Sequence, residues 1–149
     1  MGAQGLFGCM VPGEYGSDAR NAVCYGLASH EIERVDSGYR SLLTIQASLV
    51  IYPILHFGSA SQRQRYLPKL LSGEWIGCFG MTKANLGSDP GGMPARAVKV
   101  PGGYRLSGEK NCITNAPIAD VLIVWAKTDD GSVPGFIVER GCDGCRRPS

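Results

Sequence analysis

The hydrophobic period of this chain changes near Gly73. Before that point apolar residues recur at helical spacing. After it they come in short runs divided by glycine-containing turns. A chain that reads as helices first and strands second can build two neighbouring units or an α+β arrangement. It does not have the alternation that a doubly wound βαβ sheet requires. It also contains no G-x-G-x-x-G, so a Rossmann-type nucleotide site is not expected.

Residues 17–73 read as three helices. Ser17 or Asp18 can cap the first, which carries Val23, Leu27 and Ile32 inward and Glu31, Glu33 and Arg34 outward. The Asp36-Ser37-Gly38 break ends it. The second carries Leu42, Leu43, Ile45, Leu49, Val50 and Ile54, and is apolar enough to be buried on most sides. Pro53 is expected to kink it and Gly58 to close it. Ser59 and Gln62 form a capping-box pattern for the third, which carries Tyr66, Leu67, Leu70 and Leu71. Expected strands run over 75–81, 95–100, 104–106, 109–114, 121–127 and 135–139, with Pro101-Gly102-Gly103 turning a hairpin.

Two of these strands end in polar loops. The run CFGMTKANLGSDP (78–90) opens from apolar residues into Thr82, Asn85, Gly87, Ser88 and Asp89. The run GEKNCITNAPIAD (108–120) ends its strand in Thr114 and Asn115. A buried strand that opens this way sets hydroxyls and backbone N–H groups at a core edge, which suits a polar, often phosphate-bearing ligand. Two such endings point to one shared ligand.

At 149 residues the chain is long enough for one domain or parts of two. Its 44% hydrophobic and 19% charged content is that of an ordinary soluble protein. The net charge of +2 and scattered basic residues argue against nucleic acid. Arg63, Arg65 and Lys69 read as a solvated helix face. No apolar run reaches the length of a membrane span, and no secretory or myristoylation signal is evident. The six cysteines are irregularly spaced and read as reduced thiols, with Cys24 and Cys78 in the core. Cys142-Asp143-Gly144-Cys145 lacks the further ligands of a zinc site and is read as a tail without a metal or redox role. His30 and His56, on helix faces, are read as structural.

Three segments together, YGLASHEIERVDSGYRS (25–41), GSASQRQRYLPKLLSGEWIGCFGMTKANLGSDP (58–90) and GEKNCITNAPIADVLIVWA (108–126), resemble the acyl-CoA dehydrogenase family, with glutaryl-CoA dehydrogenases the most similar subgroup. The resemblance spans residues 2–141. It implies an α+β, multi-domain fold: a partial N-terminal helical domain (1–73) and most of a middle, antiparallel, β-barrel-like domain (74–141), with 142–149 a divergent tail. The family's C-terminal four-helix bundle, which carries the glutamate base, would lie beyond Ser149, so no residue of this chain is assigned as catalytic.

The resemblance also assigns roles. FAD would be held by Phe79, Gly80, Met81, Thr82, Gly87, Ser88, Cys112, Ile113 and Thr114, with Thr82 at the pyrimidine end of the ring and Thr114 near the hydride-accepting nitrogen. Ser88 would also meet the diphosphate or pantetheine arm of the acyl-CoA. Arg40 and Ser41 would hold the distal carboxylate of glutaryl-CoA, a task suited to a bidentate and permanently charged guanidinium. Two positions depart from the family pattern: Lys83 replaces the usual Glu, and Cys112 replaces a Trp that packs on the flavin. The implied activity is FAD-dependent α,β-dehydrogenation of an acyl-CoA, with decarboxylation to crotonyl-CoA in the glutaryl subgroup and electrons leaving through electron-transfer flavoprotein. The alternative is a non-catalytic fragment that at most binds flavin or CoA. Full-length members would be homotetramers, in a bacterial cytoplasm or a mitochondrial matrix.

Overall fold

The computed structural model describes residues 1–82, 89 and 92–146. Three short 3-10 turns, Gly2–Gln4, Leu6–Gly8 and Gly13–Tyr15, precede the first helix. Helix α1 spans Ala22–Val35, α2 Ser37–Thr44, α3 Tyr52–Phe57 and α4 Ala60–Ser72. Helices α2 and α3 are joined by a π-helical stretch, Ile45–Ile51.

Helix α1 starts later than the sequence suggests. Ser17 donates its hydroxyl to Val11 O and Asp18 pairs with Arg20, so neither serves as the cap. Asn21 takes that place and accepts the Cys24 N–H at 3.0 Å. The inward face also differs: Val23 and Leu27 are exposed, while Cys24, Tyr25, Ala28 and Ile32 are half-buried. Asp36 ends α1 and caps α2, accepting the N–H of Gly38 at 2.6 Å and of Tyr39 at 3.3 Å. The Ser59–Gln62 capping box forms as expected.

A π-type bond precedes Pro53. The Tyr52 N–H bonds Ala47 O, five residues back, so the helix is underwound just ahead of the proline. Pro53 then falls in the first turn of α3, where its missing N–H costs little. Arg63, Arg65 and Lys69 are more engaged than a solvated face would be. Arg63 donates to Leu55 O, Arg65 pairs with Glu139, and Lys69 lies over the Trp75 ring, 4.3 Å from its centroid.

Five strands follow: β1 Gly77–Gly80, β2 Arg96–Val100, β3 Gly103–Ser107, β4 Val121–Trp125 and β5 Gly135–Glu139. Strands β2 and β3 form an antiparallel hairpin over Pro101-Gly102, with Gly102 at φ 83°. The other sheet has the order β1-β4-β5. β4 and β5 are antiparallel, but β1 and β4 run parallel, Gly77 opposite Val121. A parallel neighbour is possible because the long connection through the hairpin carries the chain back to the start of β1. Reciprocal bonds between Ala95, Ala97 and Lys127 attach the hairpin to the end of β4.

The expected strand over 109–114 is absent. Cys112 has φ 54° and Asn115 φ 68°, and left-handed residues break a ladder. The segment runs instead as turns beside β1. The expected strand over 75–81 is shortened to β1.

One core joins the two halves. Leu43, Val50, Ile51, Ile54, Leu67 and Leu70 from the helices pack with Val121 and Ile123 from β4. Among the described residues Gln46 is the only polar one that is buried, and it is fully buried. Its Nε2 donates to Leu70 O and to Trp75 O, each at 2.9 Å, and its Oε1 accepts the Gly77 N–H at 2.8 Å. At the far edge, Glu139 accepts from Tyr66 (2.6 Å) and pairs with Arg65. Burial, then that hydrogen bond, push the Tyr66 hydroxyl up to about 12.

Gln46→Leu keeps the volume but strands three backbone groups. At about 1–3 kcal/mol per buried unsatisfied group, partly offset by relaxation, it should cost about 3 kcal/mol of stability in urea unfolding. A loss under about 1 kcal/mol would show that the three groups find other partners.

Candidate functional site

The two polar strand endings lie side by side. The Asn111 N–H donates to Thr82 O at 3.1 Å, Lys110 Nζ donates to Met81 O at 3.1 Å, and Asn115 Nδ2 donates to Gly77 O at 3.3 Å. Residues 111–115 therefore run back along β1, from its C-terminal end toward its start. Lys110 also reaches Met93 Sδ at 3.7 Å, which ties both segments to the approach to β2.

Most residues singled out in the sequence fall within the described part of the structure. Phe79 is half-buried in β1, its ring edge-on to Trp125 with centroids 5.9 Å apart. Gly80 is buried, Met81 half-buried and Thr82 exposed. Cys112 and Thr114 are exposed, while Ile113 turns inward onto Cys78, Ala119 and Leu122. Lys83, Gly87 and Ser88 lie outside the described residues. The threonine hydroxyls can reach a ligand without leaving a buried partner unpaired. Phe79 and Trp125 pack together on the side of the sheet that carries Val121 and Ile123. The Trp125 Nε1 is buried and has no partner among the described residues.

Arg40 and Ser41 sit on α2, which packs chiefly on α1 and the π-helical stretch. Arg40 Nε donates to Glu33 Oε2 at 2.6 Å and its Nη1 to Thr44 Oγ1 at 3.2 Å. The Arg40 guanidinium, followed by the Ser37 hydroxyl, holds the Glu33 carboxyl below its ordinary value. Both members of the pair are partly exposed, so a guanidinium already committed to one carboxylate is still within reach of another.

An open cleft of about 2390 Å³ runs over the face of the sheet, lined by Phe57, Gly80, Lys110, Cys112, Val124 and Trp125 among others. That is larger than a fitted small-molecule pocket of roughly 300–1,000 Å³. It is a broad, largely apolar face with Glu109, Lys110 and Asn111 on its lining.

Lys110 and Gln46 organise this region together with Asn115, and these two are not singled out by sequence reasoning. For Asn115 a signal existed, because asparagine is enriched at positive φ. For Lys110 and Gln46 there was none: their partners are backbone carbonyls and an amide distant in the chain.

Residues 1–74 match the family model "Acyl-CoA dehydrogenase, N-terminal domain", and 78–148 match "Acyl-CoA dehydrogenase, middle domain". The chain belongs to the acyl-CoA dehydrogenase family. It is 40% identical over 148 residues to an acyl-CoA dehydrogenase of Bacillus subtilis, covering 97% of this chain and 39% of that protein. It is 40% identical to a mitochondrial isovaleryl-CoA dehydrogenase of Arabidopsis thaliana, covering 97% of this chain and 36% of that one. Among solved structures, a glutaryl-CoA dehydrogenase from Mycobacterium smegmatis in complex with FADH2 superposes with a TM-score of 0.91. It shares 44% identity, over 96% of this chain and 36% of that one. The chain thus spans little more than a third of the length of these relatives. No described helix is long and apolar enough to cross a membrane.

Membership fits the fold, a helical part followed by a sheet domain.

The left-handed conformation of Asn115 gives a local test. Asn115→Gly removes one side-chain bond and should cost at most about 1 kcal/mol. Asn115→Val adds a β-branched residue at positive φ and should cost about 1–3 kcal/mol more. Thermal unfolding of the two variants compares them directly, and equal losses would mean that backbone conformation at 115 is not limiting.

Proposed function

We propose that this chain forms one wall of the flavin and acyl-CoA site of an FAD-dependent acyl-CoA dehydrogenase. The reading rests on one observation: the Met81–Thr82 and Asn111–Asn115 segments are bonded to each other, and Thr82 and Thr114 are both exposed. That donor set fits a flavin, a flat apolar ring with polar edges. FAD, when bound, would supply the hydride acceptor for α,β-dehydrogenation of the thioester.

The residues of this chain would bind and orient. Phe79, Gly80 and Ile113 offer packing surface. Backbone groups near Met81 and the hydroxyls of Thr82 and Thr114 would meet the ring's polar edge. Gly87 and Ser88 would contribute to the same loop, toward the diphosphate or the pantetheine arm. Arg40 with Ser41 would receive a distal carboxylate, which makes glutaryl-CoA the preferred substrate, with decarboxylation to crotonyl-CoA following dehydrogenation. The carboxylate that removes the α-proton is not among these residues. In this reading 1–73 and 74–141 are two neighbouring units, electrons pass to electron-transfer flavoprotein, and the assembled enzyme is a homotetramer of a bacterial cytoplasm or mitochondrial matrix.

Cys112 favours a second reading, a piece that binds flavin weakly or not at all. A thiol on a left-handed residue presents far less surface than an aromatic ring, whose stacking contributes about 0.5–1.5 kcal/mol. Two measurements separate the readings. The purified chain, mixed with FAD and passed through a desalting column, should retain flavin absorbance, and Cys112→Trp should tighten retention by about 2–10-fold. No flavin on either protein would sink the flavin-site assignment.

For the acyl subgroup, Arg40→Met should weaken glutaryl-CoA binding at least about tenfold, or about 1.4 kcal/mol, and leave butyryl-CoA binding unchanged. Equal losses for both thioesters, read by calorimetry, would remove Arg40 from substrate selection.

A further inference from the structure

The segment after β5 carries two thiols in a defined turn. The chain leaves β5 through a bond from the Cys142 N–H to Glu139 O at 3.2 Å, then turns again with the Cys145 N–H on Cys142 O at 3.1 Å. Gly144 occupies the third position of that second turn at φ 78°, the requirement of a type II turn. The ends of a hydrogen-bonded β-turn lie less than about 7 Å apart at Cα. A disulfide needs about 4.4–6.8 Å between Cα atoms. Cys142 and Cys145 therefore occupy the two ends of a turn whose span suits a disulfide, and both are exposed and unpaired.

Neither the flavin reading nor zinc accounts for this pair. A structural zinc site takes about four ligands, and among the described residues no third His, Cys, Asp or Glu joins these two to form a metal-binding group. Both thiols line the same cleft as Cys112, which is also exposed. Spacing alone gave no reason to assign the C-x-x-C a role; the folded turn does.

We propose that Cys142 and Cys145 form a reversible dithiol–disulfide site that exchanges with low-molecular-weight disulfides such as oxidised glutathione. One thiolate attacks a sulfur of the glutathione disulfide, forming a mixed disulfide and releasing one glutathione thiolate. The second cysteine, as thiolate, then attacks the protein sulfur of the mixed disulfide, forms the Cys142–Cys145 bond and releases the second glutathione thiolate. The protein loses two protons and two electrons, and one glutathione disulfide becomes two thiols. The second step is intramolecular, so the pair has the advantage of effective concentration over any single thiol.

The full chain, folded, is equilibrated anaerobically in glutathione buffers of increasing oxidised fraction, quenched by alkylation and digested with trypsin. Cleavage after Arg140 and Arg146 places both cysteines on one peptide. That peptide should lose two hydrogens at an oxidised-glutathione level at least about tenfold below the level at which Cys112 takes up glutathione. Cys142→Ser and Cys145→Ser should each leave the remaining thiol carrying glutathione. Cys112→Ser should leave the midpoint of the pair unchanged. Four results would overturn the proposal: alkylation of both thiols throughout, separate glutathionylation of each, cross-linking of either to Cys112, or an unchanged advantage in urea, where the turn is lost.

Discussion

The fully buried side chain of Gln46 holds the two halves of this structure in register. It bridges the end of α4, the chain that leaves it and the first residue of β1 through three hydrogen bonds. A polar group in such a core is tolerated only when all its partners are met, and here each partner is a backbone atom that would otherwise be orphaned. The same region has no slack. A Cβ on Gly77 would run into the side chain of Val50, so β1 starts pressed against the π-helical stretch. The position of β1, and of everything that β1 carries, follows from this contact.

β1 passes that position to the site. β4 pairs with it in parallel and the 111–115 segment returns beside it, so Asn111 meets Thr82 just past the end of β1. Left-handed residues at 112 and 115 prevent that segment from extending the sheet. Its threonine and asparagine groups are thereby left for other partners, and an extended strand would have used its backbone in a ladder instead. Beyond the sheet, Glu139 is gripped by Tyr66 and Arg65, a second tie between helices and strands on the opposite edge.

Much of this organisation was legible in the residues. The switch from period 3.6 to short runs located the helical and strand halves, because burial on one face imposes that spacing on any amphipathic element. The Asp36 cap, the Ser59–Gln62 box and the Pro101-Gly102 turn were readable because each is a local interaction, complete within four residues. Local reasoning failed where distant groups compete. Ser17 was a plausible cap until Val11 took its hydroxyl. Val23 and Leu27 had the right spacing for a buried face, yet α1 presents them outward and sets Tyr25 against Ser48 at 3.2 Å. Residues 109–114 had strand character, and their left-handed breaks are held by contacts with β1.

What the sequence by itself determined is the order of helices and strands, most of their ends, and the family. These depend on side-chain chemistry and on spacing along the chain. Tertiary structure alone decided that β1 and β4 run parallel, that Lys110 and Asn115 bond to the β1 segment, that Arg40 is held by Glu33, and that two tail cysteines sit at the two ends of a hydrogen-bonded turn. Each of these needs atoms distant in sequence, or a backbone angle set by packing, and pattern along the chain carries neither.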